Sequence, residues 1–231
     1  MRPNVLIGVQ ARSTSTRLRG KCDMAIGETT MVGHVMQQAI RAAAWLSQDM
    51  HCDVVMLIPE GDDVMLRYKG QYLIHEGPEQ DVLTRFVSAA TEYDSDIIVR
   101  LTGDCAWMTS YMIAKCVRAY IKYEADYCSN VLVRTFMEGL DVEVISRQLL
   151  LHLNHEAVTP EDREHVTSAI PGLVDDDRLG GFKLHTVMSD FDFSHIKTSV
   201  DTAEEYEACN FLYQQKRKKR ERAKSLGTYS T

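Results

Sequence analysis

The sequence predicts an α/β fold, a mostly parallel sheet covered by helices on both faces. Three observations carry this. Apolar, β-branched runs recur at 4–10, 53–59, 72–75 and 96–101. Segments with helical spacing of apolar residues separate them, and strand–helix alternation is the pattern of a parallel sheet. The runs 4–10 and 96–101 also empty straight into polar loops, as strands do at the carboxyl edge where open α/β sheets bind ligands.

Residues 4–10, NVLIGVQ, have the length of a buried strand. Met31, Val32, Val35, Met36, Ala39, Ile40 and Ala43 then predict a helix over 30–45 with a Thr cap. Strands follow at 53–59 and 72–75. Pro78 is expected to open the next helix at its first position, with Val82, Leu83, Phe86, Val87 and Ala90 on one face. A strand at 96–101 and a helix near 110–124 complete the alternating half. Further on, strands are expected at 126–132, 141–145, 182–187 and 196–200, and helix starts at Ser146 and Thr159-Pro160. Thr202 and Glu205 have the spacing of a capping box for a last helix, with Asp201 just outside the cap. The tail carries KRKKRERAK, read as the basic, frayed end of that helix over 216–231. No repeat or low-complexity linker divides the chain, so 1–231 reads as a single domain.

Composition bounds the function. The chain has 231 residues, 45% of them hydrophobic and 26% charged, with a net charge of −7. Those proportions are those of a soluble globular protein, and the negative balance argues against a dedicated nucleic-acid binder. No run has the length of a membrane span, and the first apolar run is too short for a signal-peptide core. Six cysteines without a C-x-x-C pair read as reduced thiols in a cytoplasmic protein.

The loop after 4–10 holds Arg12, Ser13, Thr14, Arg17, Arg19 and Lys21. Guanidiniums, an ammonium, hydroxyls and backbone N–H groups form the inventory for a polyphosphate, although a solvated basic loop would show the same residues. It is not a Walker loop. Asp104 and Asp201 each follow an apolar run, and two carboxylates beside a polyphosphate suit Mg²⁺. Either is also readable as a turn or cap aspartate. Two such carboxylates repel, so Asn at either position is expected to be slightly stabilising without metal. His152 and His155, three apart with no cysteine at finger spacing, do not read as a zinc site.

Taken in order, the motifs resemble a known family. Ala11-Arg12, Ser15-Thr16-Arg17-Leu18 and Gly20-Lys21 are similar to A-R-x-x-S-T-R-L-P-G-K. Asp81-Val82-Leu83 with Arg85-Phe86 is similar to D-V-L-x-R-Y, and Arg100 through Cys105 to R-x-T-G-D-C-P. Ser129-Asn130 followed by Gly139 through Val144 resembles S-N…G-L-D-V-E-V. Arg163 through Thr167 resembles R-E-H-V-T, and Val200-Asp201-Thr202 a closing V-D-T. Together these resemble the cytidylyltransferases of the spore-coat polysaccharide protein F type, relatives of the CMP-Kdo and CMP-sialate synthetases. Arg19 and Ala106 stand where that pattern has Pro.

The resemblance implies a three-layer α/β/α nucleotidyltransferase sandwich of the glycosyltransferase-A kind, with a small protruding dimerisation region. It implies transfer of CMP from CTP to an anionic acceptor, a sugar acid or phosphonate, with Mg²⁺ as cofactor, in a homodimer. Arg12, Arg17 and Lys21 would hold the triphosphate and, with the metal ligands Asp104 and Asp201, form the catalytic set. Ala11, Ser13, Asp81, Arg85, Thr102 and Gly103 would complete the nucleotide site. Asn130, Asp141, Glu143, Arg163, Glu164 and His165 would face the acceptor. The alternatives are a glycosyltransferase on the same fold, which would want Asp-x-Asp where the chain has Gly103-Asp104-Cys105, and a non-catalytic nucleotide-binding protein.

Overall fold

A computed structural model describes residues 2–225. In chain order its elements are β1 (Asn4–Gln10), a 3₁₀ turn (Lys21–Asp23), the hairpin strands β2 (Ala25–Ile26) and β3 (Thr29–Thr30), α1 (Met31–Leu46), β4 (His51–Pro59), α2 (Asp63–Leu66), β5 (Leu73–Gly77), α3 (Val82–Glu92), β6 (Ile97–Thr102) and α4 (Ser110–Tyr123). There follow β7 (Tyr127–Ser129), β8 (Glu143–Ser146), α5 (Arg147–Glu156), α6 (Pro160–His165), α7 (Ile170–Asp175), β9 (Leu184–Thr186) and α8 (Ala203–Ser225).

The main sheet has seven strands in the order β5-β4-β1-β6-β8-β7-β9. Every pairing is parallel except the two that β8 makes, with β6 and β7. The expected α/β class with a mostly parallel sheet is therefore what the chain adopts. Central β1 is apolar on both faces because both are covered. Val5, Ile7 and Val9 join the core under α1 and α4. Leu6 joins the core under α3, α5 and α7, and on that face Phe86 packs so closely over Gly8 that a Cβ there would lie 2.7 Å from its ring. Two helical layers around one sheet give the three-layer sandwich.

Register sets the working edge. Gln10 lies opposite Leu57 in β4 and Thr102 in β6, so β1 and β6 end level while β4 runs on to Pro59. The chains that leave them stay close: the Ala11 N–H donates to the Leu57 carbonyl at 3.0 Å and the Gly103 N–H to the Gln10 carbonyl at 2.8 Å. At Gly103 a side chain would meet the Gln10 carbonyl oxygen at 3.1 Å and the Ala11 Cβ at 3.2 Å. Glycine lets the two chains approach this closely without the neighbours having to give.

Four expectations need correction. Pro78 does not open α3. Asp81 caps it instead, accepting from the Thr84 N–H at 2.8 Å and its hydroxyl at 2.9 Å, so the helix begins at Val82. The strand expected over 126–132 stops at Ser129, whose hydroxyl oxygen accepts from the N–H groups of Val131 and Leu132 and turns the chain. Pairing of β8 starts at Glu143 rather than 141, because Ser129 is the last partner residue across from it. Residues 196–200 form no strand. Their one bridge joins Lys197 to Glu138, a loop residue with no ladder to extend. The last helix runs to Ser225; of the segment read as its frayed end, residues 226–231 lie outside the described residues.

Candidate active site

A cleft of about 540 Å³ opens at the carboxyl edge, lined by the loop after β1, the turn after β6 and the segments around 138–141, 164–165 and 199–201. Its floor is an ion-pair cluster. Lys21, only 8% exposed at the start of the 3₁₀ turn, places Nζ 2.5 Å from Asp104 Oδ2 and 2.8 Å from Asp201 Oδ1. Arg17 reaches the same Asp201 oxygen at 2.9 Å, and Lys197 takes Oδ2 at 2.9 Å. Gly20, with φ 69°, supplies the left-handed residue from which the 3₁₀ turn starts and Lys21 enters.

Asp104 reaches this cluster two residues beyond β6. Asp201 arrives by another route. The Thr198 N–H and hydroxyl both donate to the Glu138 carbonyl at 2.7 Å, and the Val200 N–H donates to the Asp104 carbonyl at 3.4 Å. The Thr202–Glu205 capping box then turns the chain into α8. Gly139 permits the crossing: its φ is 99°, and a Cβ would stand 2.5 Å from the Ser199 nitrogen.

The cations set the electrostatics. Burial alone would raise the Asp201 pKa, but hydrogen bonds from Lys21 and Lys197 hold it at about 2. Burial would lower that of Lys21, and Asp104 and Asp201 together raise it instead. Burial beside Asp104 pushes the Cys22 thiol up to about 12 and Cys105 further, so neither is a thiolate nucleophile. Arg85 is 1% exposed and held on backbone carbonyls, with its Nε 3.2 Å from the Pro78 oxygen. Burial, then the nearby Arg12 charge, brings its pKa down to about 10. A cation so placed on the cleft wall is short of an anion.

The other candidate residues divide into those that face the cleft and those that hold its walls. Ala11, Arg12, Thr102, Gly103, Asp141, Glu164 and His165 line it. Arg12 pairs with Glu164 at 2.8 Å, tying the first loop to α6. Ser13 uses its backbone instead, its N–H donating to Asp62 at 2.7 Å. Asp81 pairs with Arg163 at 2.6 Å, binding α3 to α6. Both Asn130 amide atoms are engaged, at 2.7 Å to the Leu140 carbonyl and 2.9 Å from the Val142 N–H. Glu143, 4% exposed, accepts from Arg100, Thr167 and the Tyr127 hydroxyl. Ser13, Asp81, Arg163 and Asn130 shape the site from behind, whereas Glu143 lines a recess that adjoins the cleft. Val166, a β-branched residue with φ 64°, follows His165 and is held in that strained state by burial in the core.

Three further cations, Arg134, Arg100 and Lys197, contribute to the site. Arg134 grips Asp141 through both guanidinium ends, at 2.7 and 3.0 Å. Arg100, a cation inside an apolar strand, binds Gln10 at 3.0 Å. Its position was a legible signal, as was Lys197 four residues before Asp201. Arg100, Arg134, Asp141 and His165 also line an adjoining recess of about 300 Å³.

Comparison with known proteins gives concordant results. The model of a family described as cytidylyltransferase matches residues 6–219. The chain is 26% identical over 215 residues to the spore coat polysaccharide biosynthesis protein SpsF of Bacillus subtilis, covering 91% of this chain and 87% of that protein. It superposes on a cytidylyltransferase from Leptospira borgpetersenii with a TM-score of 0.76 at 26% identity, covering 100% of this chain and 98% of the other. A CMP:2-keto-3-deoxy-manno-octonic acid synthetase complexed with CTP shares the fold, with a TM-score of 0.69 at 15% identity over 92% of this chain and 99% of that one.

Proposed function

The chain belongs to the cytidylyltransferase family, CTP-dependent nucleotidyltransferases, and from that premise we propose that it transfers CMP from CTP to an anionic acceptor, a sugar acid or a phosphonate. The observation that carries this reading is one cleft with Arg17 and Lys21 gathered on Asp104 and Asp201 and with Arg12 on its wall. An acceptor oxygen bonds to the α-phosphorus as the bond to the β-phosphate oxygen breaks. The electron pair leaves on pyrophosphate, and an attacking hydroxyl loses its proton to solvent. Arg12, Arg17 and Lys21 would neutralise the triphosphate and the charge that builds on the departing pyrophosphate. The adjoining recess holds Arg100, Arg134 and His165 together with Glu143 and Asp141, which pair with Arg100 and Arg134, so an anionic acceptor would bind there by drawing a guanidinium from its partner.

The donor set fits Mg²⁺, because the carboxylates of Asp104 and Asp201 already converge on one cation, Lys21. Those two residues would hold it, and when bound it would screen phosphate charge and polarise the α-phosphate. Pyrophosphate release, measured with each of the four nucleoside triphosphates against a panel of sugar acids and phosphonates, tests the reading. CTP with one acid should stand out; equal release from all four would overturn it.

SpsF is named for polysaccharide biosynthesis, which supports a glycan as the destination of the product. A homodimer is proposed on the loops 131–141 and 187–199, where the Phe193 N–H joins the Thr135 carbonyl at 2.8 Å and Phe191 is 71% exposed. Light scattering should give twice the chain mass, reduced towards one by Phe191→Ser. All six cysteines are free, which suits a cytoplasmic location. Among the described residues no helix is long and apolar enough to cross a membrane.

A further inference from the structure

We propose that Lys21 is an exchangeable counter-ion, occupying the place of a divalent cation until the triphosphate draws it away, and that Lys197 is the positioning residue that keeps Asp201 aimed during the exchange. The proposal rests on the cytidylyltransferase reading and adds an order of events to it.

The geometry is specific. Lys21 Nζ lies 2.5 Å from Asp104 and 2.8 Å from Asp201, and it is the cation that joins the two carboxylates. With Arg17 and Lys197 also on Asp201, and Lys197 shared with Glu205, three cations already balance three carboxylates. A bare divalent ion therefore meets no net negative field, and it cannot take both carboxylates while Lys21 stays. Lys21 is nearly buried, and a buried ammonium leaves its partners only for another anion. The triphosphate is that anion, and the lysine stem is flexible enough to follow it. Lys197 is placed differently. It holds the other oxygen of Asp201 at 2.9 Å and is itself held by Glu205 at 2.7 Å, in the first turn of α8. When Lys21 departs, Lys197 remains and Asp201 keeps its aim. Nucleotide and metal then bind with positive, reciprocal coupling.

The test uses the full chain and Mn²⁺ as an oxygen-seeking, spin-active probe. Free Mn²⁺ is followed by electron paramagnetic resonance without nucleotide, and melting temperature is measured in parallel. Lys21→Met should bind Mn²⁺ about tenfold or more tightly than wild type, within the usual range of site coupling. Mn²⁺ should raise the melting temperature of that variant and leave wild type unchanged. Adding Asp201→Asn should abolish the gain. Lys21→Gln serves if the Met variant does not fold. Lys197→Met should lower kcat and weaken Mg²⁺ dependence about tenfold while leaving KM for CTP nearly unchanged, and Lys197→Arg should restore most of it. Equal Mn²⁺ binding by wild type and both Lys21 variants overturns the exchange. A fall in melting temperature with kcat intact in Lys197→Met overturns its positioning role. CTP alone should stabilise wild type; if it does not, the nucleotide reading fails, whereas CTP stabilisation with unaltered Mn²⁺ binding defeats only the exchange.

Discussion

Asp201 accepts from two ammoniums and pairs with a guanidinium at once, which makes it hard to protonate and gives it a measurable share in acid stability. Its pKa falls from 3.8 to about 2 on folding. A depressed carboxylate contributes stability that is fully present above the unfolded value and is lost as pH drops through the folded one. Urea unfolding should therefore show wild type more stable than Asp201→Asn at about pH 5, with the gap closing towards about pH 2. A gap that persists at the lowest pH would place the interaction elsewhere. Lys21 stands between Asp104 and Asp201 and offsets the expected repulsion, so Asn at either position should cost stability. In turnover, Asp104→Asn and Asp201→Asn should each remove most activity, and the double variant should be little worse than either, because groups acting as a unit are not additive. Multiplying losses in pyrophosphate release would separate their roles.

At the scale of elements, the site is made where chain segments cross without forming regular structure. The 196–200 segment is fixed to the 138–141 loop by the Glu138–Lys197 bridge, by Thr198 and by the close pass at Gly139. A methyl group at Gly139 would both strain a φ of 99° and strike the Ser199 nitrogen. Gly139→Ala should destabilise the protein by about 1–3 kcal/mol and move Asp141 and Asp201 apart, lowering turnover more than folding. Chemical denaturation paired with pyrophosphate release checks this; wild-type activity in a destabilised protein would show that the crossing does not aim the aspartates. Across the sheet, the Asp81 cap of α3 also serves as the anchor for Arg163 of α6, so one carboxylate ends one helix and docks another.

For the whole molecule, both helical layers leave the carboxyl edge open, and the cations concentrated there contrast with a net charge of −7. A ligand that binds only the folded state raises stability by about 3 kcal/mol at one hundred times its dissociation constant. With a divalent cation present, CTP should raise the melting temperature more than ATP, GTP or UTP at equal concentration. Equal shifts from all four would mean that the cleft recognises only the triphosphate.

The sequence by itself determined the parts whose causes are local. Strand β1 was legible to the residue, because an apolar run bounded by polar loops has few other uses. The caps at Thr30, Ser146 and Thr159 were equally plain, since each satisfies N–H groups within its own turn. So was the inventory of Arg12, Arg17, Lys21, Asp104 and Asp201, although a loop and not the expected strand delivers Asp201. Only the tertiary structure decided what these residues do to one another. Lys21 and Asp201 are 180 positions apart, and Arg12 and Glu164 are separated by 152. The pairing of such groups depends on which loops the sheet register brings level and on the backbone bonds that fix 196–200 to Glu138 and Asp104. Long-range contacts of that kind leave no periodicity in the chain, so the fold was readable in advance while the partners of each charge were not.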